Sequence, residues 1–388
     1  MSDKWSSMGR RRFMENLGAL GVSSTTLNFL DQEELEEVTD NPEDEVPYVA
    51  MLKGNGDRRE AVYKTIPREE WERRQTALSA RDQIARKVDK ELDSDNISVA
   101  FTSMDQSPTG FGVEVENVIT EYPNGEVRGS RADLEEIEKL VPTEMEAGID
   151  KIEEEVTRQG IPVEVTESHE ELTCSYDLER NYNNLPGGIA IASSYEGGTL
   201  CAPFESREFG TGWTTAGHVV GSDKVNVYQE NGSKEDDPFG YSKEAKNDGN
   251  NLDYAFIDMI SDEDISKWIT DNDASERELE LTGIVTNEEL ENQEGNEDYI
   301  LEGQGRTTCR SSGPIHKVVG SGTEAVETEW APKDGDSGGP LFYTPNDNEA
   351  YIAGIVMSRV ERPWRNTTAK STTAETTEIE LDGYFLWN

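Results

Sequence analysis

Short β-rich segments, separated by turns of Gly, Asn and Asp, fill the chain from about Leu185 to Asn388. Such segments are typical of antiparallel strands, and several in succession predict a sandwich or barrels. No repeat of about 20–50 residues is visible, which disfavours a propeller. The sequence therefore predicts an all-β unit of one or two barrels or a sandwich, from segments that include GIAIASS, GTLCAPF, KVNVY, YAFIDMI and AYIAGIVMS.

A glycine-rich run, GDSGG, interrupts this pattern at 335–339, directly before a predicted strand at Leu341–Tyr343. Glycines at most of its positions would lose too much backbone entropy in a helix, so the run predicts a tight loop. One interpretation is an ordinary turn. The other is that Ser337 is a nucleophile, held in a loop whose own backbone amides stabilise a developing negative charge. The second interpretation requires a base and an acid elsewhere in the chain.

Two titratable residues in the same part of the chain are candidates for those roles. His218 ends the segment GTGWTTAGH, where a predicted strand leads into a turn. Asp253 opens the apolar strand predicted at Tyr254–Ile260, where a buried carboxylate is costly unless a group such as a histidine N–H bonds it. Taken singly, the two also fit a structural histidine and a turn aspartate. The remaining histidines, His169 and His316, have no such context and are predicted to be exposed or structural.

Three motifs in the order His218, Asp253, Ser337 resemble the catalytic blocks of the trypsin/chymotrypsin-like serine proteases: TAGH, DYAFI and GDSGGP. Bacterial and archaeal members are also matched by PGGIAI at 186–191, GRTTCRSSG at 305–313 and AGIVMS at 353–358. The resemblance covers residues 185–388 and does not extend to residues 1–170. It implies two six-stranded antiparallel β-barrels with the active site between them. His218 and Asp253 would come from the first barrel and Ser337 from the second.

The resemblance also implies a serine endopeptidase that acts on protein or peptide substrates without a cofactor or metal ion. Ser337 would attack the carbonyl carbon, His218 would take its proton, and Asp253 would orient the imidazole. The backbone N–H groups of Gly335 and Ser337 would form the oxyanion hole. An esterase of unrelated fold is disfavoured, because GDSGGP is not the G-x-S-x-G elbow of that class.

The acid before the serine has a structural role in the resembled family. Asp336 would pair there with a positive group and so hold the loop. That group is either a newly cut N-terminus or an internal arginine, and Arg306 and Arg310 are both candidates.

The expected substrate pocket departs from the family pattern. Ser358 resembles the serine that supports the catalytic acid, but Arg359 and Val360 follow it where glycines usually leave the pocket open. Ala331, not an acid, stands at the expected pocket floor. These residues favour small or medium apolar side chains at the cleavage position. They also allow an alternative function, a non-catalytic binding or chaperone-like protein whose cleft is closed by Arg359 and Val360.

The chain has only three cysteines, too few for a disulfide framework, and no C-x-x-C pair suggests a metal site. Val219 follows His218 where relatives often have a bridged cysteine, so that disulfide is absent. At most one disulfide is expected, either Cys201–Cys309 or Cys174–Cys309.

The N-terminal part of the chain has a different pattern. Residues 1–30 carry Arg10, Arg11, Phe13 and Met14, which match a twin-arginine export signal or, alternatively, a short basic helix. The signal would place the protein outside the cell or at its surface; without it the protein would be cytoplasmic. Residues 31–94 are predicted to be an acidic linker, at 31–46, followed by an amphipathic helix at Arg68–Leu92.

Residues 95–184 predict a smaller α+β module. Its expected elements are strands at Ile97–Phe101 and Val113–Tyr122, a PNGEVRG hairpin turn, a helix from about Thr143 to Gln159, and a strand at 161–165. Secreted relatives often carry a pro-region before the protease domain at 185–388. The module is therefore interpreted as a pro-region or, alternatively, as a permanent accessory domain.

The formal charge is 36 − 81 = −45, with a pI near 4.3. A surface this acidic argues against binding to nucleic acid or to anionic membranes. Seven Trp, 13 Tyr and 10 Phe indicate a folded chain and not a solvated tail. The composition resembles that of proteins from salt-loving archaea. No run of about 18 apolar residues is present, so stable membrane insertion is not expected, and the sequence leaves the oligomeric state open.

Overall fold

The computed structural model describes residues 44–54, 59–92, 97–104, 107, 110–121, 127–128, 137–149, 156–171, 184–229, 238–248, 251–260, 265–270, 279–320, 323–361 and 367–387. The described chain is mostly β and contains a closed six-stranded antiparallel barrel and a second sheet, which confirms the predicted fold class. The twin-arginine segment and residues 31–43 of the predicted acidic linker lie outside the described residues.

The described part of the chain begins with a hairpin and a long helix. Strand β1 (Glu45–Lys53) pairs antiparallel with β2 (Glu60–Pro67), and helix α1 (Arg68–Glu91) follows at once. The predicted helix at Arg68–Leu92 is confirmed. The two strands were not predicted, because charged residues on and around them resemble a solvated linker; β1 is nevertheless buried along most of its length.

An N-terminal module follows, formed by α1 and five strands: β3 (Ile97–Ser103), β4 (Phe111–Glu121), β5 (Val127–Arg128), β6 (Glu144–Ile149) and β7 (Val156–Glu171). The strand order is β3-β4-β7-β6, with β4 and β7 parallel. Apolar residues of α1 pack on this sheet in one core cluster, which includes Ile84, Val88, Val113 and Ile161. Strands β4 and β5 pair across the predicted hairpin turn.

The helix predicted from Thr143 to Gln159 is wrong. Residues 144–149 form β6 and 156–159 begin β7, and the two strands pair antiparallel with Met145 opposite Ile161 and Ile149 opposite Val156. Residues 150–155 of the predicted helix lie outside the described residues. Its apolar residues have helical spacing, but Met145 and Ala147 face inward while Glu144 and Glu146 are exposed, which is a period of two. Pairing with the apolar strand at 161–165 thus overrides a weak helical preference.

The first barrel is built from an eight-stranded antiparallel sheet with the order β10-β9-β13-β14-β15-β12-β11-β24. Its strands are β9 (Ala190–Ala192), β10 (Gly197–Thr199), β11 (Pro203–Ser206), β12 (Gly210–Thr215), β13 (Asn226–Gln229), β14 (Gly240–Asn247), β15 (Asp253–Met259) and β24 (Gly383–Phe385). Helix α2 (Gly217–Val220) follows β12. Large aromatic side chains, including Trp213 and Phe256, fill the core.

The second sheet contains the remaining strands and continues into the N-terminal module. Its later strands are β8 (Leu185–Gly187), β16 (Ile265–Ile269), β17 (Leu279–Val285), β18 (Ile300–Gly305), β19 (Cys309–Val319), β20 (Ala325–Thr328), β21 (Pro340–Asn346), β22 (Glu349–Glu361) and β23 (Thr368–Thr373). Helices α3 (Asn287–Gln293) and α4 (Ala374–Glu380) lie in the same part of the chain. N-terminal strands pair with this sheet at three places: β1 with β17, β3 with β19 and β7 with β22.

The predicted Cys201–Cys309 disulfide is not formed, since both residues are free thiols. Cys201 lies in the first core cluster, whereas Cys309 is half-buried at the start of β19. Burial raises the pKa of the Cys201 thiol to about 12, so it is an unreactive core residue. Cys309 is therefore not linked to Cys174 either, and Cys174 itself lies outside the described residues. No helix of the described chain is long and apolar enough to cross a membrane.

Candidate active site

The position of His218 follows from two packed elements. Strand β12 ends at Thr215, and the chain turns through Ala216 and Gly217 into α2, which carries His218. A Cβ at Gly217 would lie 2.1 Å from the backbone oxygen of Lys246, so only glycine allows this approach to β14. The imidazole is therefore held at the end of a core strand and is only 6% exposed.

Asp253 is the first residue of β15, the strand next to β12. Because Thr215 pairs with Ala255, Asp253 lies beside the turn that carries His218. Its carboxylate accepts a hydrogen bond of 3.0 Å from the His218 backbone amide and a second one from the His218 ring at Nδ1. The carboxylate is fully buried, and two N–H groups of one residue compensate its desolvation.

Thr372 of β23 supports Asp253 through the backbone. The amide of Asp253 donates to the Thr372 hydroxyl at 3.0 Å, and that hydroxyl lies 3.2 Å from the backbone oxygen of Asn251. Strand β23 belongs to the second sheet, so the start of β15 in the first barrel is held by a contact from the second sheet. Sequence analysis missed Thr372, because a threonine in a β-rich stretch carries no signal of this role.

The serine loop (Lys333–Pro340) connects β20 to β21 and is held by its own backbone. The amides of Asp336 and Gly339 each donate a 3.0 Å hydrogen bond within the loop, and Gly338 donates to Val356 of β22 at 2.7 Å. Gly335 and Gly338 have φ angles of 94° and 90°, a conformation that side chains strongly disfavour. Both glycines are therefore required for the conformation of the loop.

The serine loop packs directly against the His218 turn. A Cβ at Gly338 would lie 2.1 Å from the Thr215 hydroxyl and 3.0 Å from the Ala216 amide. Strand β10 bonds the other side of the loop, because Thr199 donates its amide to the backbone oxygen of Ser337 at 2.8 Å and its hydroxyl to that of Gly335 at 2.6 Å. The fold thus brings the two sequence motifs together, and Thr199 is a second contact that sequence analysis missed.

Ser337 is 2% exposed, and its hydroxyl donates a 3.2 Å hydrogen bond to the backbone oxygen of Met357. The register between β22 and β23 shifts between Val356 and Ser358. Met357 is the extra residue of this bulge. A bulge turns one residue away from the regular hydrogen-bonding pattern between strands, and the Met357 carbonyl accordingly points to Ser337.

The expected pairing of Asp336 with Arg306 or Arg310 is not found among the described residues. The Asp336 carboxylate instead accepts backbone hydrogen bonds from Thr307, Thr308 and Lys333, at 2.8, 2.9 and 2.8 Å, and one from the Thr308 hydroxyl. Burial raises its pKa above the ordinary value, and these backbone bonds oppose the rise. Three amide donors thus stabilise the buried carboxylate where a cation was predicted.

The four predicted pocket residues have different environments. Ser358 is buried, Ala331 is exposed, Val360 is 2% exposed, and the Arg359 guanidinium lies 3.0 Å from Glu361. Both carboxylate oxygens of Asp253 bond to His218. His316 lies on β19, with its ring nitrogen 3.5 Å from the Glu329 carboxylate.

Strand β7 of the N-terminal module lies on the edge of β22 immediately beyond Ser358. The backbones pair antiparallel, with Arg359 opposite Glu171 and Glu361 opposite His169. Strand β7 therefore covers the edge of β22 from Arg359 to Glu361. This edge starts two residues after Met357, whose carbonyl accepts the Ser337 hydrogen bond. Among the described residues, no cluster of three or more His, Cys, Asp or Glu side chains has the arrangement of a metal site.

No family model and no curated protein sequence matches this chain. Solved structures that resemble it include a protease from Nocardiopsis (15% identity, TM-score 0.39, covering 52% of this chain and 98% of that one). A second is a chymotrypsin from Cellulomonas bogoriensis, with 16% identity and a TM-score of 0.38, covering 53% of this chain and 100% of that one. A third is protease A from Thermobifida fusca, with 14% identity and a TM-score of 0.39, covering 53% of this chain and 100% of that one. These similar structures are bacterial serine proteases.

Proposed function

We propose that residues 185–388 form a serine endopeptidase, in which His218, Asp253 and Ser337 act as one catalytic unit. The observation that carries the proposal is the packing of the serine loop against the turn that leads into His218, whose ring and amide bond one buried carboxylate. The three residues are far apart in sequence and each is of a type that acyl transfer uses, and the segments that carry them pack where the first barrel adjoins the second sheet. A structural role for any one of them would not require the other two nearby.

The proposed reaction follows the general chemistry of activated serines. Asp253 accepts the Nδ1–H of His218, so Nε2 is the basic nitrogen that takes the Ser337 proton as its oxygen attacks the carbonyl carbon. The same imidazolium then protonates the leaving amine, and water repeats the sequence on the acyl-enzyme. The positive φ of Gly335 orients the backbone amides of the loop. The amides of Gly335 and Ser337 would stabilise the oxyanion, and each such donor typically lowers the transition-state free energy by about 2.7–4 kcal/mol.

The pairing of β7 with β22 supports a latent form of this enzyme. Substrate peptides bind many proteins by adding a strand to an exposed sheet edge, and this edge beside Ser337 is already paired with His169–Glu171. The N-terminal module would then act as a pro-region that covers the site until the chain is cut between Cys174 and Ile189. Residues 185–388 expressed alone should fold poorly.

The same pairing favours a second candidate, a binding or chaperone-like protein whose cleft stays closed. Fluorophosphonate labelling at molar salt separates the two, with the Ser337→Ala chain as the control. Stoichiometric labelling of Ser337 in the cut protein, together with peptide hydrolysis, supports the endopeptidase. A cut protein with an unlabelled Ser337 and no hydrolysis would favour the binding protein.

Processing gives a further test of the endopeptidase. If the cut is autocatalytic, the wild type should appear as two fragments on a denaturing gel, whereas the Ser337→Ala chain should remain full-length. Export through the twin-arginine route is also proposed, to the cell surface or outside the cell. Replacing Arg10 and Arg11 by lysine should keep the protein in the cytoplasm; secretion that is unchanged by this replacement would contradict the export proposal.

A further inference from the structure

Strand β1 occupies an interior position in the second sheet. It lies between β2 and β17, with Met51 opposite Val285 and Leu52 opposite Ile284. Hydrogen bonds to β1 continue beyond Val285, where β17 ends. Thr286 donates its amide to the Ala50 oxygen at 3.1 Å and its hydroxyl to the Val49 oxygen at 2.6 Å. All seven residues between the strand's ends are buried, so both of its faces are covered.

The two faces of β1 belong to two different cores. Val49 and Leu52 pack in the cluster that contains Trp213 and Phe256 of the first barrel. On the other face, four β1 residues pack with side chains of the second sheet, among them Leu301, Trp330 and Tyr351; the four are Val46, Tyr48, Ala50 and Met51. Removal of β1 would expose apolar surface in both clusters, which the hydrophobic effect opposes.

Partly buried ion pairs join β2 and the residue before it to helices α3 and α4. Arg59 binds the Glu378 carboxylate with two guanidinium nitrogens, one of them at 2.7 Å, and the side chains are only 15% and 7% exposed. Lys64 lies 2.5 Å from the Glu289 carboxylate, which is fully buried and also accepts a 2.7 Å bond from the Tyr48 hydroxyl. Without the β1–β2 hairpin and Arg59, Glu378 would lose the Arg59 guanidinium and Glu289 would lose the Lys64 ammonium group.

The module makes a second set of buried polar contacts with the sheet. Lys317 of β19 is fully buried and lies 3.3 and 2.6 Å from the carboxylates of Glu114 and Glu116, both on β4. Arg74 of α1 donates to the backbone oxygens of Glu291 and Glu294, at 3.0 and 3.1 Å. Separation would leave Lys317 without these two carboxylates, and breaking a buried pair is much more costly than breaking an exposed one.

We propose that the N-terminal segment (residues 45–171) stays bound to residues 184–388 after the chain between them is cut, so the processed protein is a two-chain molecule. The cut would free the end of β7 to leave β22, whereas the contacts of β1, Arg59 and Lys317 do not depend on that connection. The biological role of the cut rests on the proposed endopeptidase. The retention itself can be measured in a chain without activity.

The experiment uses the full Ser337→Ala chain with a recognition sequence for a site-specific protease placed between Glu171 and Asn184. The folded protein is cut at molar salt, a denaturing gel verifies that cutting is complete, and native size-exclusion chromatography follows. We expect both fragments to elute together at the volume of the uncut chain. Elution of the N-terminal fragment apart from residues 184–388 would overturn the proposal, while a failure of the proposed activity would not alter this readout.

A matched pair of variants assigns the retention to the β1–β2 surface. In Arg59→Ala the fragments of the cut protein should separate about tenfold faster, because a buried bidentate bond between charged groups is lost. Arg207→Ala is the control, since it removes an ion pair with Asp382 whose side chains are 72% and 65% exposed. Equal rates for the two variants would overturn the assignment of retention to this surface.

Discussion

The backbone amide and the imidazole ring of His218 bond the two carboxylate oxygens of a single residue, Asp253. Two bonds from one residue hold both the position of the helix turn and the rotation of the ring. Because the carboxylate accepts at Nδ1, the tautomer is set and Nε2 is left as the basic nitrogen. In the proposed mechanism the His218 imidazole would therefore need little reorientation before it accepts the Ser337 proton.

Asp253→Asn should lower the turnover of peptide hydrolysis by about 10⁴-fold, because asparagine has only one acceptor oxygen for the two N–H groups of His218. With that oxygen bound to the His218 backbone amide, the asparagine NH₂ group faces Nδ1 and favours the wrong tautomer. Steady-state kinetics of the cut protein on a peptide substrate would measure the loss. Asp258→Asn is the matched control on the same strand, since Asp258 is partly exposed and bonds Lys243 at 3.2 Å. Similar activity in the two variants would contradict the role given to Asp253.

Glu294 should make stability depend on pH. Burial raises the pKa of its carboxyl to about 7, against a smaller opposing effect of the Ser103 amide and Arg74. An acid whose pKa is raised by folding contributes full stability below its unfolded pKa, near 4.5, and loses that contribution as the pH rises towards 7. Glu294→Gln should therefore match the wild type at about pH 4 and exceed its free energy of unfolding by about 3 kcal/mol above pH 7.

Denaturant unfolding of both proteins across this pH range would test the difference. Glu297→Gln, three residues further along and exposed, removes one carboxylate of the same charge without burial. It should shift stability little at any pH. A wild-type minus Glu294→Gln difference that stays constant with pH would contradict the role of Glu294.

Salt should stabilise the fold. With a formal charge of −45, repulsion among surface carboxylates acts over the Debye length, which grows from about 3 Å at 1 M to about 30 Å at 0.01 M salt. We expect the melting temperature to fall markedly between these two conditions. Calorimetry at a fixed pH would measure it, and an unchanged melting temperature would rule out this form of adaptation to high salt.

Cleavage should follow small or medium apolar residues. A basic side chain in the predicted pocket would meet no carboxylate at Ala331 and would remain an unpaired charge, and Arg359 and Val360 are predicted to narrow the entrance. A peptide library digested by the cut protein, with Ser337→Ala as the blank, would define the profile. Dominant cleavage after Lys or Arg would contradict this prediction.

Sequence patterns predicted the long helix at Arg68–Glu91 and the strands β3, β4 and β15, because their periodicity follows from which faces are buried. They failed at 143–159, where apolar residues at helical spacing also fit a strand. They missed β1, whose seven buried residues stand between acidic and basic neighbours that suggest a solvated linker. Neither failure could be seen locally, because the deciding contacts come from Ile161 and from β17.

The sequence by itself determined the residue types of the candidate site and the need for a glycine-rich loop at Ser337, since these depend on side-chain chemistry and on backbone freedom at single positions. Only the tertiary structure decided what surrounds them. Asp336 is held by backbone amides where a positive group, a cut N-terminus or an arginine, was expected, and β7 covers the strand edge beside Ser337. Except for the Lys333 amide, these partners are backbone groups distant in sequence, which carry no residue-specific signal, and only the pairing of strands within the second sheet brings them together.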